Sequence, residues 1–126
     1  PIPGAPLHGI EGSEWTKLRT HFDPHDEIVD TKKRLSAFYP TDLDFMLRQM
    51  KVGTVVFTGV NNDCCILNSA FDASNRNYRV VVLKDATAGT NEHLEAAGRT
   101  IVSLFLGVVM DSAELLRAWD TELYWN

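Results

Sequence analysis

A cysteine stands where a predicted strand turns into a helix, a position that favours a reactive thiolate. Residues 54–58 are rich in β-branched side chains and are followed by Gly59, and a helical pattern begins at Cys64. Cys65 therefore lies in the first helical turn, where unpaired N–H groups and the helix dipole favour a thiolate. The N–H groups of Cys64 and Cys65 are placed to bind the oxyanion that forms when a carbonyl group is attacked. This pattern predicts acyl transfer or amide hydrolysis, and the alternative is an inert core cysteine.

A lysine follows another predicted strand and extends this chemistry. Residues 27–31 predict a short strand, and Lys32 stands at its end. Ligands of open parallel α/β sheets bind at the carboxyl ends of the strands. We therefore expect the Lys32 ammonium group and the Cys65 sulfur to meet in one cleft.

Strands and helices alternate along the chain, which predicts parallel βαβ units in a single domain over residues 1–126. The fold class expected is α/β, with helices on both faces of a doubly wound, Rossmann-like parallel sheet. The further predicted strands are residues 78–83 and 107–110, and the predicted helices are residues 13–18, 41–50, 64–75, 90–105 and 112–119.

The composition describes one globular domain and excludes several classes of function. The 126 residues carry a formal net charge of −5, so no basic stripe is available to bind a nucleic acid. The longest apolar run, residues 101–110, is far shorter than the roughly 20 residues that span a bilayer. The two cysteines are adjacent and do not form an ordinary disulfide, which fits a reducing, cytoplasmic setting.

Four blocks of the sequence carry a family resemblance. They are Lys32–Phe38 with Thr41–Leu43, Thr58–Ile66, Asp72–Ala73 with Tyr78–Val80, and Asp85–Ala86. In order and spacing they resemble the isochorismatase-like cysteine hydrolases, which include nicotinamidases, carbamoylsarcosine amidohydrolases and ureide or biuret hydrolases. The resemblance implies that Cys65 is the nucleophile and Lys32 the catalytic lysine. It also implies a cis peptide bond between Val60 and Asn61, at the oxyanion hole.

The resemblance implies a further part of the site that this sequence does not show. Members of the family carry the third catalytic residue, an aspartate, at the end of a first strand, and no such strand precedes residues 27–31. In the strand order 3-2-1-4-5-6, the strands at 27–31 and 54–58 would be the third and the fourth. We therefore expect the first two strands and the aspartate on an N-terminal segment that was removed, lies in a complementary chain or is unrecorded. Activity is expected to need that aspartate.

The leading hypothesis is a cysteine-dependent hydrolase that cleaves a C–N bond of a small amide, carbamoyl or ureide substrate through a thioester. One alternative is an isochorismatase-type hydrolase of a vinyl ether, which does not need the cysteine. Another is a catalytically inactive truncated form or interaction module. The expected partners are a small-molecule amide substrate and further copies of the chain in a homo-oligomer, with no nucleic acid and no membrane.

Several polar residues have simpler interpretations. No cofactor and no metal is expected, because His8 does not match the spacing of the metal-binding histidine in nicotinamidases. Asp63 and Asp85 are interpreted as helix caps and not as general bases.

The aromatic residues fall into two groups. Phe38 and Tyr39 follow the lysine block and are expected at the substrate pocket, with core packing as the alternative. Trp119, Tyr124 and Trp125 cluster near the end of the chain and are expected in a subunit contact.

Overall fold

A parallel β-sheet forms the centre of the computed structural model, which describes residues 12–120, at position 15 for the backbone only. The strands are β1 (Thr54–Val60), β2 (Arg79–Ala88) and β3 (Gly107–Met110). They lie in the order β1-β2-β3, and both neighbouring pairs are parallel. The prediction of a parallel α/β fold is therefore confirmed.

One α-helix precedes the first strand, two connect the strands, and one follows the last strand. They are α1 (Leu43–Gln49), α2 (Cys65–Asn75), α3 (Glu92–Ile101) and α4 (Ser112–Asp120), with a 3₁₀ turn at Glu14–Thr16. The four α-helices form where the apolar periodicity predicts them, with small differences at their ends. Within residues 12–120, no helix has the length and apolar character needed to cross a membrane.

The helix predicted over residues 90–105 changes its winding before it ends. The α-helical part stops at Ile101, and a π-helical turn, Val102–Leu106, leads directly into β3. The first residue of β3 is Gly107, where a Cβ atom would clash with the carbonyl oxygen of Val80. Glycine at this position therefore allows β3 to approach β2 closely.

Alternate residues of β2 pack into two separate cores. Val80 and Val82 lie on the side covered by α1, α2 and the π-helical turn. Val81 and Leu83 lie on the other side, where Leu115 of α4 packs against them. Because successive side chains of a strand point to opposite faces, the sheet has helices on both faces, as predicted. Besides the two valines, the first core contains Phe38, Ile66, Ala70, Ala73, Tyr78 and Val102.

The prediction of a short strand at residues 27–31 is wrong. These residues have no regular structure, and the Ile28 side chain is 49 % exposed. A strand needs a neighbour to pair its backbone groups, and within residues 12–120 the sheet contains β1, β2 and β3 alone. The apolar patch around Ile28 therefore lacks the neighbouring strand, and the ladder of backbone hydrogen bonds, that the prediction assumed.

The pairing of β1 with β2 shifts register near the carboxyl ends of both strands. Phe57 pairs with Val82, whereas Gly59 pairs with Thr87. The Thr87 hydroxyl donates to the carbonyl oxygen of Leu83 at 2.8 Å and closes the irregular stretch of β2. β2 thus continues beyond its predicted end, and the loop that follows it lies beside the turn that follows β1.

Candidate active site

The structure brings Lys32 and Cys65 together at the carboxyl end of β1. Cys65 is the first residue of α2, which follows β1 after a short turn. The Nζ atom of Lys32 lies 3.9 Å from the Sγ atom of Cys65. At this distance the ammonium group can stabilise negative charge on the sulfur.

A buried hydroxyl links the segment that carries Lys32 to helix α2. The Ser69 hydroxyl donates to the carbonyl oxygen of Cys65 at 2.7 Å and accepts the N–H of Ala37 at 2.9 Å. Ser69 is 4 % exposed, and Ser36 next to Ala37 is also buried. The lysine segment is therefore held against α2 although it has no regular secondary structure.

Phe38 is a core residue that anchors the same segment. It is 5 % exposed, and its ring centroid lies 6.1 Å from that of Tyr78. The guanidinium carbon of Arg76 lies 5.1 Å from the centroid of the Phe38 ring. The ring packs into the apolar layer between sheet and helices, which is the core-packing alternative, and a place at a substrate pocket stays a prediction for Phe38. Tyr39 is 62 % exposed, and its place at a substrate pocket stays a prediction.

The turn between β1 and α2 decides which backbone N–H groups are available to an oxyanion. The Val60–Asn61 peptide bond is cis, at the position that the resemblance implies. The carbonyl oxygen of Asn61 accepts the N–H groups of Cys64 and Ile66, each at 3.1 Å. The Cys64 N–H is therefore occupied, which corrects its predicted role as an oxyanion donor. Within residues 12–120, the N–H groups of Asn61 and Cys65 have no acceptor, so these two are the available donors.

The two adjacent cysteines have different surroundings. Cys64 is the N-cap residue of α2 and makes no side-chain capping bond. Burial raises the pKa of the Cys64 thiol, and the nearby Cys65 and Asp63 raise it further, while Lys32 opposes them. Cys64 therefore keeps its proton at neutral pH, whereas Cys65 has its sulfur beside the Lys32 ammonium group.

Asp63 binds the loop after β2 and does not cap α2. Its carboxylate accepts the backbone N–H of Thr90 at 2.8 Å and the Thr90 hydroxyl at 2.7 Å. The bond from the hydroxyl holds the pKa of Asp63 below its usual range. The capping prediction is wrong for Asp63, because the extension of β2 places Thr90 within its reach. Asp85 is not an N-cap residue either, because it lies within β2; its carboxylate accepts the N–H of Ser112 at 2.9 Å across the fold, and Asp111 caps α4 by accepting the N–H of Glu114 at 2.8 Å.

The histidines do not assemble a metal centre within the part of the chain that the structure describes. His21, His25 and His93 are all exposed. Over residues 12–120, no group of three His, Cys, Asp or Glu side chains could hold a metal ion. His8 lies outside the described residues.

A cavity of about 650 Å³ lies away from the thiol. Its lining includes Thr54, Arg79 and Gly107, which are the first residues of β1, β2 and β3. Ligands of parallel α/β sheets bind at the carboxyl ends of the strands. We therefore place the candidate site at Cys65 and Lys32, at the other end of the sheet.

Comparison with known proteins agrees with the motifs and the geometry. The family model described as the isochorismatase domain matches residues 4–114. The chain belongs to the isochorismatase family. The family resemblance inferred from the sequence blocks is thereby confirmed.

Two curated relatives match a large part of the chain. The uncharacterised isochorismatase family protein PncA of Bacillus subtilis is 37 % identical over 95 residues, which is 69 % of this chain and 52 % of that protein. The ureidoacrylate amidohydrolase RutB of Methylorubrum extorquens is 43 % identical over 98 residues, which is 76 % of this chain and 39 % of that protein. The chain spans about half, or less, of the length of these relatives.

Solved structures show the same fold. An isochorismatase-like hydrolase from Alkaliphilus metalliredigens superposes with a TM-score of 0.85 at 33 % identity, over 90 % of this chain and 63 % of that chain. A pyrazinamidase/nicotinamidase from Streptococcus mutans superposes with a TM-score of 0.61 at 38 % identity, over 63 % of this chain and 44 % of that chain. The three strands and their helices are thus a recognisable part of the isochorismatase fold.

Proposed function

We propose that this member of the isochorismatase family is a cysteine-dependent hydrolase that cleaves a C–N bond of a small amide, carbamoyl or ureide compound through a thioester. The observation that carries the proposal is the 3.9 Å distance between Lys32 Nζ and Cys65 Sγ. A thiolate, and not a thiol, is the nucleophile in such reactions. The ammonium group and the N-terminus of α2 both favour the thiolate.

In the first half of the reaction, the Cys65 sulfur forms a bond to the carbonyl carbon of the substrate. The carbonyl oxygen gains negative charge, and the free N–H groups of Asn61 and Cys65 bind it, which lowers the barrier. The C–N bond then breaks, and the leaving nitrogen receives a proton. Ammonia or an amine departs, and the acyl group stays on the sulfur as a thioester.

Water completes the reaction. It adds to the thioester carbonyl, the C–S bond breaks, and the acid is released with Cys65 restored. Both halves need a group that gives and takes a proton, and within residues 12–120 no carboxylate bonds to Cys65 or Lys32. We assign this role, through the family resemblance, to an aspartate outside the described residues.

The names of two relatives support the amide class of substrate. RutB is named a ureidoacrylate amidohydrolase, and the Streptococcus mutans protein is named a pyrazinamidase/nicotinamidase. Both names denote hydrolysis of an amide-type bond.

Mass-spectrometric mapping of iodoacetamide modification tests the identity of the nucleophile. At neutral pH we expect Cys65 to react about tenfold faster than Cys64, or more, because a thiolate is the reactive species and the pKa of the Cys64 thiol is raised. The Cys64→Ala variant is the matched control and keeps the fast site. Equal, slow modification of both cysteines contradicts the proposal.

Release of ammonia tests the reaction class. The assay uses the protein as purified, with any second chain that accompanies it, and offers nicotinamide, biuret and a carbamoyl amino acid as probes. Cys65→Ala should abolish release, and Cys64→Ala should retain it. Hydrolysis that survives Cys65→Ala contradicts a thioester and favours a mechanism that does not use the cysteine.

A further inference from the structure

The loop after β2 is hydrogen-bonded to the turn that leads to the nucleophile. Thr90 donates its backbone N–H to Oδ1 of Asp63 at 2.8 Å and its hydroxyl to Oδ2 of the same carboxylate at 2.7 Å. The side-chain amide of Asn61 donates to the Thr90 hydroxyl oxygen at 3.1 Å. Thr90 therefore connects two residues of the turn through one hydroxyl group.

The chemistry of the three groups fixes the direction of these bonds. A carboxylate can only accept, so the single hydroxyl proton of Thr90 is donated to Asp63. The hydroxyl oxygen is then left to accept, so Asn61 presents its Nδ2 atom to Thr90. The pKa of Asp63 lies below its usual range because of the bond from Thr90, and the carboxylate is charged at neutral pH. A chain of hydrogen bonds thus runs in one direction, from the Asn61 amide through the Thr90 hydroxyl to the Asp63 carboxylate.

Asn62 makes a second link to the same part of the chain. Its backbone N–H donates to the carbonyl oxygen of Ala88 at 2.9 Å, and its side-chain amide donates to that of Glu95 at 3.4 Å. Asn62 is 2 % exposed. Gly89 permits this close approach, because a Cβ atom there would lie 2.8 Å from a carboxylate oxygen of Asp63. Asn61 and Asp63 are therefore bonded to Thr90 in the loop after β2, and Asn62 is bonded to the last residue of β2 and to α3.

We propose that Thr90 is a positioning residue for the reaction of Cys65, an inference that rests on the hydrolase function proposed above. The turn that Thr90 holds contains Asn61, whose N–H is one of the two free donors, and continues into Cys65. Helix capping does not explain the arrangement, since the N-cap residue of α2 is Cys64, without a side-chain bond. Thr90 holds the turn in place from outside the helix. It thereby sets the position of the Asn61 N–H group relative to the sulfur of Cys65.

Substitution of Thr90 separates positioning from stability. Thr90→Val removes the hydroxyl and keeps the β-branched shape, and Thr90→Ser keeps the hydroxyl. The matched control is Ser112→Ala. Ser112 donates its N–H and its hydroxyl to Asp85 in the same pattern, but bonds to no residue of the turn. The readouts are the rate at which iodoacetamide modifies Cys65, the amide NMR signals of Asn61 and Cys65, and urea unfolding.

We expect Thr90→Val to slow the modification of Cys65 about fivefold, the effect of one hydrogen bond, and to shift the amide signals of Asn61 and Cys65. Thr90→Ser should restore the rate and the signals. Ser112→Ala should lower the resistance to urea and change neither the rate nor the signals.

Two results would overturn the positioning role: Thr90→Val with unchanged amide signals or an unchanged rate, or Ser112→Ala with the same effects as Thr90→Val. If Cys65 of the wild type reacts no faster than Cys64, the proposed hydrolase function fails. In that case the amide signals of Thr90→Val and Thr90→Ser still decide whether Thr90 positions the turn.

Discussion

The hydroxyl of Tyr78 donates a 2.8 Å hydrogen bond to Oδ1 of Asp44 and thereby attaches helix α1 to the start of β2. Tyr78 is 7 % exposed. This bond, together with the nearby Arg48 and Arg76, holds the pKa of the Asp44 carboxyl below its usual range. Because α1 follows the segment that carries Lys32, the contact also holds that segment near the sheet.

The Asp44 bond predicts a specific dependence of stability on pH. A carboxyl group whose pKa is lower in the folded chain than in the unfolded chain stabilises the fold at pH values above its ordinary pKa. That ordinary pKa is 3.8 for Asp44. That contribution is lost as the pH falls through the folded-state pKa. Tyr78→Phe should therefore lower the urea midpoint at neutral pH and weaken its decline in acid.

Urea unfolding between neutral pH and about pH 3 measures this effect. Tyr39→Phe is the matched control, because Tyr39 is exposed and its variant should keep the wild-type profile. If the urea midpoint of Tyr78→Phe falls with pH as steeply as that of the wild type, Asp44 is not the source of the pH dependence.

Removal of the Ser69 hydroxyl should lower both the stability of the fold and the reactivity of Cys65. Ser69→Ala leaves the Ala37 N–H without its partner next to a buried side chain. We expect the free energy of unfolding to fall by about 1–3 kcal/mol, and the modification of Cys65 by iodoacetamide to slow because the segment carrying Lys32 loosens. Ser69→Thr keeps the hydroxyl and should retain both properties. Wild-type stability in Ser69→Ala would refute the link.

The close contact between β2 and β3 predicts a large effect at a glycine. In Gly107→Ala the new Cβ atom would meet the backbone carbonyl of Val80, which cannot rotate away as a side chain can. We expect a loss of about 3 kcal/mol in the free energy of unfolding, measured by urea unfolding. An unchanged midpoint would mean that the two strands lie further apart than the structure shows.

The sequence predicts the elements that depend on local pattern. The β-branched run at residues 54–58 forms β1, and the apolar spacing after Cys64 forms α2. The strand predicted at residues 27–31 does not form, because a strand also needs a partner that its own residues do not specify.

The site shows the same division between side-chain type and backbone path. The motifs predict that Lys32 and Cys65 meet, and the structure places them 3.9 Å apart. The occupied N–H of Cys64 could not be predicted, because it follows from the path of the turn that directs the Asn61 carbonyl. The bond between Asp63 and Thr90 could not be predicted either, since it depends on the register shift near the ends of β1 and β2.

Assembly into a homo-oligomer stays a prediction, and α4 offers a way to test it. Leu116 and Trp119 are neighbours on one side of the helix, and they are 64 % and 60 % exposed. Light scattering should give a mass greater than that of one chain, and Leu116→Lys should reduce it. A wild-type monomer would contradict the prediction. Tyr124 and Trp125, expected in the same contact, lie outside the described residues.

The Lys32 ammonium group is proposed to activate Cys65, and the rate at which iodoacetamide modifies Cys65 in two lysine variants tests this role. Lys32→Met removes the charge beside the sulfur, and Lys33→Met removes a neighbouring charge as the matched control. At neutral pH we predict that Lys32→Met slows the reaction of Cys65 with iodoacetamide about tenfold or more, while Lys33→Met stays within about twofold of the wild type. Equal rates in the wild type and Lys32→Met would contradict this role.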